Sequence, residues 1–211
     1  MDKIRTAVIF TGGSCDTARL DAGDLQGDLI IAADAGRMTA EKCGVTPHII
    51  AGDFDSSDAP PDGGAAEIIR VPAEKDDTDT MLACDLAIER GASRLTILGG
   101  TGGRIDHLLS NLFLLENLHR RGVRAMLCDG NNRVRLLENG SVTLPRCGYR
   151  YFSLIALGDA AATLRGCKYP LTDAPLRREL PYAVSNEITA DAATVTVHGA
   201  PVFLIESGKE P

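Results

Sequence analysis

Six short runs within the first ~130 residues, "TAVIF", "DLIIAA", "HIIAG", "EIIRV", "RLTIL" and "RAMLC", are almost continuously apolar rather than apolar at every second position. A strand with one face in water alternates; a strand covered on both faces does not, and helices cover both faces chiefly in parallel sheets. Helical patterns fall between the runs. "RMTAEKCG" follows the second, and "DDTDTMLACDLAIERG" carries Leu82, Leu86 and Ala83, Ala87 at i, i+4 spacing, with an Asp/Thr-rich start and Gly91 at its stop. "HLLSNLFLLENLHRRG" has basic residues in its last turn and Gly122 at its stop. Strand alternating with helix predicts an N-terminal α/β domain with a mostly parallel, open sheet.

Beyond Asn131 the pattern changes to short β-type runs, "RVRLLEN", "SVTLP", "YRYFSLIAL", "AATLRGC", "ATVTVHG" and "PVFLIES", divided by Gly, Pro, Asn and Asp, with no helical period. These predict a smaller all-β C-terminal domain, a sandwich or barrel. The expected division is 1–132 and 133–211.

The formal net charge of -7 argues against an extended nucleic-acid surface, which needs a basic stripe. No run is long enough to span a membrane, and Met1 leads into a strand without a signal-peptide core, so the cytoplasm is the expected compartment. The six cysteines show no C-x-x-C pair, and of the four histidines only His107 falls in a candidate site, so neither type suggests a zinc centre.

An open α/β sheet presents its ligand crevice at the carboxyl ends of its strands. Four segments fall there. Asp34, in "AADAG", directly follows a strand, where an Asp also commonly serves a turn or helix cap. Asp53 and Asp55, in "GDFDSSD", have only Phe54 between them; if extended geometry persists, both carboxylates face one side. At ~4 Å and an effective dielectric near 20, two such charges repel by about 4 kcal/mol. A hard cation resolves that repulsion, and magnesium suits a site of one or two carboxylates completed by waters and phosphates. The bland alternative is a solvated loop with Asp55 to Asp58 as a turn.

The third segment, "EKDDTDTM", opens a helix that Thr78 or Asp77 can cap. Asp79, in the first turn, can look back across the crevice, and Lys75 is placed to meet a phosphate. The fourth, "GGTGGRIDH", joins a strand to a helix; four glycines in five residues let backbone N–H groups approach an anion, and the helix adds its positive end. Neither G-x-x-x-x-G-K-[ST] nor G-x-G-x-x-G is met, since Ile105 stands where the last glycine belongs. Arg104 offers a bidentate contact to phosphate, and Asp106 is either a helix cap or a ligand contact.

In combination, "AADAG", "GDFDS", "KDDTD", "GGTGGRIDH" with Asn111, then "GCKYPL" and "SNE", resemble the thiamine pyrophosphokinase family, in the same order over nearly the full chain. The resemblance implies an α/β domain followed by a β-sandwich, a homodimer with active sites between subunits, and magnesium-dependent transfer of pyrophosphate from ATP to the hydroxyl of thiamine, yielding thiamine diphosphate and AMP. Carried over by motif, Asp53, Asp55 and Asp79 would hold magnesium, with Asp34 beside them. Lys75, Thr78, Gly100, Gly102, Gly103, Arg104 and Asp106 would meet nucleotide and phosphate. Ser185 and Asn186 would contact thiamine from the sandwich of the other subunit. Some relatives stack a tryptophan on the substrate ring; this chain has none, which leaves Tyr169, Tyr182 or Leu171 for that place. The implied chemistry is in-line attack of the thiamine hydroxyl on the β-phosphorus, with Asp34 or Asp79 accepting the proton.

Two rival readings are compatible with the same residues. Asp53-Phe54-Asp55-Ser56 echoes the D-x-D of haloacid-dehalogenase-type phosphatases, although Gly52 precedes it and Ser57 follows. A sensor that binds both ligands without turnover is the non-enzymatic rival.

Overall fold

The sheet of the first unit is built from β1 (Thr6–Phe10), β2 (Leu29–Ala33), β3 (Ile49–Gly52), β4 (Glu67–Arg70), β5 (Arg94–Leu98) and β6 (Arg124–Cys128) in the computed structural model. Residues 5–54, 66–70 and 78–209 are described, and the chain divides into two units, Met1–Gly130 and Asn131–Pro211. Within the first unit the strand order is β4-β3-β2-β1-β5-β6, and every pairing is parallel. Ile9, Phe10, Ile31, Ala32, Ile97 and Leu98 are wholly buried. The apolar runs of β1, β2, β3 and β5 are therefore strands covered on both faces, whereas β4, at the edge, has no buried residue.

The helices are α1 (Gly36–Lys42), α2 (Asp79–Glu89) and α3 (Ile105–Arg120). Of the two candidate caps for α2, Thr78 is the one observed: its hydroxyl accepts the Met81 N–H at 3.2 Å. Helix α2 buries Ala83, Cys84 and Ala87, small side chains that let it lie close to the sheet, whereas α3 buries Leu114, Leu115 and Leu118. Gly91 and Gly122, at φ of 100° and 75°, end α2 and α3 in the left-handed region that glycine adopts without strain. One described connection, that between β1 and β2, carries no α-helix. Between β1 and β2 the Gly- and Asp-rich chain forms two short 3₁₀ turns, Thr17–Arg19 and Ala22–Leu25, and the buried Asp24 carboxylate accepts the Asp21 N–H at 3.0 Å.

Sequence order runs outward from β1 to β4 on one side and returns to β5 and β6 on the other. The connections leaving β1 and β5 thus diverge to opposite sides. This is the topological switch point, where an open parallel sheet has a crevice at its carboxyl edge.

The second unit is all-β: β7 (Asn132–Leu137), β8 (Gly140–Pro145), β9 (Tyr149–Ala156), β10 (Ala160–Arg165), β11 (Leu171–Leu176), β12 (Ala192–Gly199) and β13 (Val202–Lys209). β7-β13-β9 run antiparallel in one sheet, and β11-β10-β12-β8 in the other. Burial alternates along β9 and β12, as it must when one face is covered. Leu144, Phe152, Leu154, Leu164, Val195 and Leu204 belong to one core drawn from both sheets, which makes the unit a sandwich. β11 is the strand without a β-type pattern of its own: it carries Pro175 and a left-handed Asp173, and its pairing with β10 slips between Ala162 and Leu164. Proline is tolerated there because β11 is an edge.

Asn186, of "SNE", is buried and staples this unit. Its Oδ1 accepts the N–H groups of Tyr169 and Glu187, both at 3.0 Å, while Nδ2 donates to the Tyr169 carbonyl at 2.8 Å and to Cys167 Sγ at 3.4 Å. Its backbone exchanges two hydrogen bonds with Phe152 in β9. Asn186→Ala would leave several of these groups unpaired, an expected loss of roughly 2–3 kcal/mol in urea unfolding; a loss below about 0.5 kcal/mol would contradict the role. Alkaline pH gives a second expectation. Burial pushes the Cys15 thiol up to about 12, and raises Cys43, Cys84 and Cys167 above the ordinary 9.0. Above that value the unfolded chain sheds protons that the fold retains, so stability falls as pH rises. The reduced protein is expected to unfold at lower urea near pH 10 than near pH 8, with a smaller drop in Cys84→Ala; a rise would contradict this.

Candidate active site

At the switch point the chain leaving β1 and the chain leaving β5 pack backbone against backbone. Thr11 donates both its N–H and its hydroxyl to the Leu98 carbonyl, each at 2.9 Å, and its oxygen in turn accepts the Gly13 N–H at 3.4 Å. A methyl group on Gly13 would collide with the Gly99 carbonyl, and one on Gly99 would stand 2.9 Å from the Gly13 carbonyl oxygen. Gly99 and Gly103 adopt φ of 85° and 88°. Only glycine permits this approach, and the result is two adjoining loops whose peptide groups face a common space.

That space is a crevice of about 560 Å³ lined by both loops, by the ends of β2 and β3 and by the N-termini of α2 and α3. Asp34, Asp53, Thr78, Asp79, Gly102, Gly103 and Arg104 line it, seven of the residues singled out in the sequence. Gly100 serves from behind the wall: its carbonyl accepts Asn111 Nδ2 at 2.9 Å, which ties the loop to α3. Asp106 lines an adjoining recess of about 220 Å³ with Thr80, His107 and Ser110. Asp55 and Lys75 lie outside the described residues.

Unusual backbone occurs at one of the acidic positions and next to another. Asp34 follows β2 at φ 44°, donating its N–H to the Ala51 carbonyl at 2.8 Å, and Gly52 at the end of β3 leaves room for it: a Cβ there would stand 3.2 Å from Asp34 Cα. Asp53 follows β3, and the next residue, Phe54, has φ 56° with its ring under the Arg70 guanidinium at 5.3 Å. The extended geometry that would pair Asp53 with Asp55 is therefore broken at Phe54, between them. A non-glycine residue at positive φ is strained, and strain of this kind gathers at functional sites.

Asp34, Asp53 and Asp79 bring three carboxylates to a crevice that also collects the positive ends of two helices. Among the described residues no group of three or more His, Cys, Asp or Glu side chains converges tightly enough to cage a metal ion by itself. An open set of carboxylates beside an anion-binding loop still fits a hard cation that keeps waters and takes ligand phosphates, as magnesium does. Arg104, at the N-cap of α3, is exposed and forks onto Asp106 at 3.1 and 2.6 Å. The carboxylate holds the guanidinium above its usual range, and Arg104 holds Asp106 below the usual range of a carboxyl. Such an exposed pair contributes little to stability and can exchange for a phosphate partner. Asp106 is thus the partner of Arg104, and its Oδ1 also accepts the His107 N–H at 3.0 Å.

Sequence reasoning passed over Thr11, Gly12, Gly13, Ser14 and Thr80, all of which line the crevice. The signal was present: "TGG" after β1 repeats the strand-then-Gly-Gly pattern of "LGG" after β5. In the second unit, Asn186 lines an apolar hollow of about 240 Å³ with Tyr169, Leu171, Tyr182 and Val184. Ser185 is exposed at φ 58° and donates its N–H to Ser153 Oγ at 3.0 Å.

Comparison with known proteins gives a consistent assignment. Residues 25–127 match the model of the thiamin pyrophosphokinase catalytic domain, and residues 141–200 that of the thiamin pyrophosphokinase vitamin B1 binding domain. The thiamine pyrophosphokinase of Bacillus subtilis (strain 168) is 32% identical over 186 residues, covering 85% of this chain and 87% of the relative. A crystal structure of the Bacillus subtilis enzyme superimposes with a TM-score of 0.84 at 27% identity, over 98% of this chain and 100% of that one. The thiamin pyrophosphokinase structure from Geobacillus thermodenitrificans gives 0.80 at 29% identity, over 97% and 98%. The two matched models fall one in each unit, and on these grounds the chain belongs to the thiamine pyrophosphokinase family.

Proposed function

We propose that the protein transfers the pyrophosphoryl group of ATP to the hydroxyl of thiamine, releasing AMP. The observation that carries the reading is the switch-point crevice, which Asp34, Asp53 and Asp79 line together with two glycine loops. An acidic protein that binds a triphosphate beside three carboxylates needs an intervening cation, and Asp53, Asp55 and Asp79 are the residues proposed to hold magnesium there. Bound, magnesium would offset charge on the phosphoryl oxygens.

The chain's own groups supply the rest. N–H groups of the two glycine loops, other than those of Thr11, Gly13 and Gly99, which bond within the protein, hold the phosphates together with the α3 N-terminus, and Arg104 turns from Asp106 to them. Fixing the β-phosphorus in line with the thiamine hydroxyl lowers the entropic part of the barrier, and Asp34 or Asp79 accepts the hydroxyl proton. The hollow of the second unit is the proposed seat of the thiamine rings. Tyr182, held through its hydroxyl to the Pro175 carbonyl at 2.6 Å, and Tyr169, set by Asn186, would present aromatic faces to the cationic thiazolium in place of a tryptophan.

A homodimer is part of the reading. Ile105, Leu109 and Phe113 stand at i, i+4, i+8 on α3 and are 74, 46 and 52% exposed, an apolar stripe beside the recess of Asp106 and His107. A second copy of this chain is the proposed cover.

Incubated with ATP, magnesium and thiamine, the protein is expected to release AMP in step with thiamine diphosphate; ADP as the product would indicate an ordinary kinase. Asp53→Asn should lower turnover by roughly 100-fold or more with an unchanged circular dichroism spectrum, since a metal's charge stabilisation is worth several kcal/mol. Near-normal turnover in that variant would overturn the assignment. Phe113→Asp should convert a dimer to a folded monomer in sedimentation; a wild type that sediments as a monomer would dispose of the stripe's proposed role.

A further inference from the structure

The five-residue loop 99–103 contains four glycines, the residues with the greatest backbone freedom, yet to bind phosphate its N–H groups must be held in one arrangement. Its one non-glycine residue, Thr101, turns its hydroxyl to Asp129 Oδ2 in a short hydrogen bond, while Gly99, Gly102 and Gly103 line the crevice. Asp129 directly follows β6 and is buried. Its own carbonyl accepts the Asp16 N–H at 2.8 Å, just past the glycines of the first loop. The carbonyl before it, on Cys128, accepts the Gly99 N–H at 2.9 Å. The residue after it, Gly130, has φ 89° and lies so close to the Asp16 carbonyl that a Cβ would collide with it. The end of β6 therefore fastens both glycine loops, and the Asp129 carboxylate is the charged acceptor that fixes the second one.

The geometry points to Asp129, acting through Thr101, as a positioning residue for the nucleotide phosphates. This rests on the reading of the crevice as an ATP site, and it assigns a role to a residue outside every motif that suggested that reading. A charge-assisted hydrogen bond is stronger than a neutral one and suits a tether that must hold a glycine loop against its own entropy. Asp129 does not touch the phosphates in this account. Its loss acts on nucleotide affinity and leaves the thiamine hollow alone.

The test compares the full-length wild type with Thr101→Val, Thr101→Ser, Asp129→Asn and Asp129→Ala. Hydrogen exchange over 99–103 reads the tether, calorimetry with magnesium and α,β-methylene-ATP reads nucleotide binding without turnover, and AMP release gives KM for each substrate. Thr101→Val should speed exchange in the loop, weaken the analogue about tenfold and raise KM for ATP similarly, with KM for thiamine within about twofold. Thr101→Ser, which keeps the hydroxyl, should recover most of the affinity, and Asp129→Asn, a neutral acceptor, should fall between. Asp129→Ala should match Thr101→Val without adding to it in the double variant; if Asp129→Ala does not fold, the Thr101 pair decides. Unchanged exchange, or faster exchange with affinity for the analogue within about twofold, overturns the proposal. So does a parallel loss for both substrates. A wild type that binds the analogue but releases no AMP would overturn the reaction proposed above while leaving the tether readable.

Discussion

The close approach of two backbones at Gly13 and Gly99 is the contact on which the crevice depends. β1 and β5 are neighbours in the sheet, but the chain leaves them for opposite sides, so the space between their outgoing loops is created by topology rather than by side chains. Side chains at these positions would fill it. With none present, the peptide groups of both loops become the wall, and a peptide wall can offer N–H groups to an anion without adding a formal charge.

That matters because the protein as a whole is acidic, with a formal net charge of -7, and the crevice itself carries Asp34, Asp53 and Asp79. A phosphate site built from lysines here would pair with those carboxylates and quench them. Fixed dipoles from two helix N-termini and two glycine loops supply local positive potential without adding a cationic side chain to the carboxylates. Among the described residues, Arg104 is the Lys or Arg side chain that lines the crevice, and it is held on Asp106 at the exposed start of α3.

Much of this was legible in the residues. Continuous apolar runs identified the buried parallel strands, because covering both faces leaves no polar side to alternate, and Gly91 and Gly122 marked helix ends that only glycine makes cheaply. Asp34, Asp53, Thr78, Asp79 and Arg104 were recognisable as crevice residues from their place after strands or at helix starts. What escaped had physical causes. β11 owes its existence to pairing with β10 rather than to its own side chains, and "LTDAPL" gives no β pattern. The Gly12–Gly13 loop looked like a turn because nothing local reveals that β5, more than eighty residues on, would lie beside β1. Asn186 carried a motif, but its four side-chain hydrogen bonds are non-local or depend on the fold around it, so the expected ligand contact and the observed staple use the same residue for different ends. The left-handed turn at Phe54 broke an assumption of extended chain that spacing alone could not test.

The four-stranded sheet of the sandwich ends on β11 at one side and β8 at the other, and each of these strands contains a proline, Pro175 and Pro145. Missing donors at both rims spoil the regular ladder that a stray strand would need for docking, all the more where β11 already slips against β10. The four-stranded sheet is in this way guarded against open-ended polymerisation through its rims.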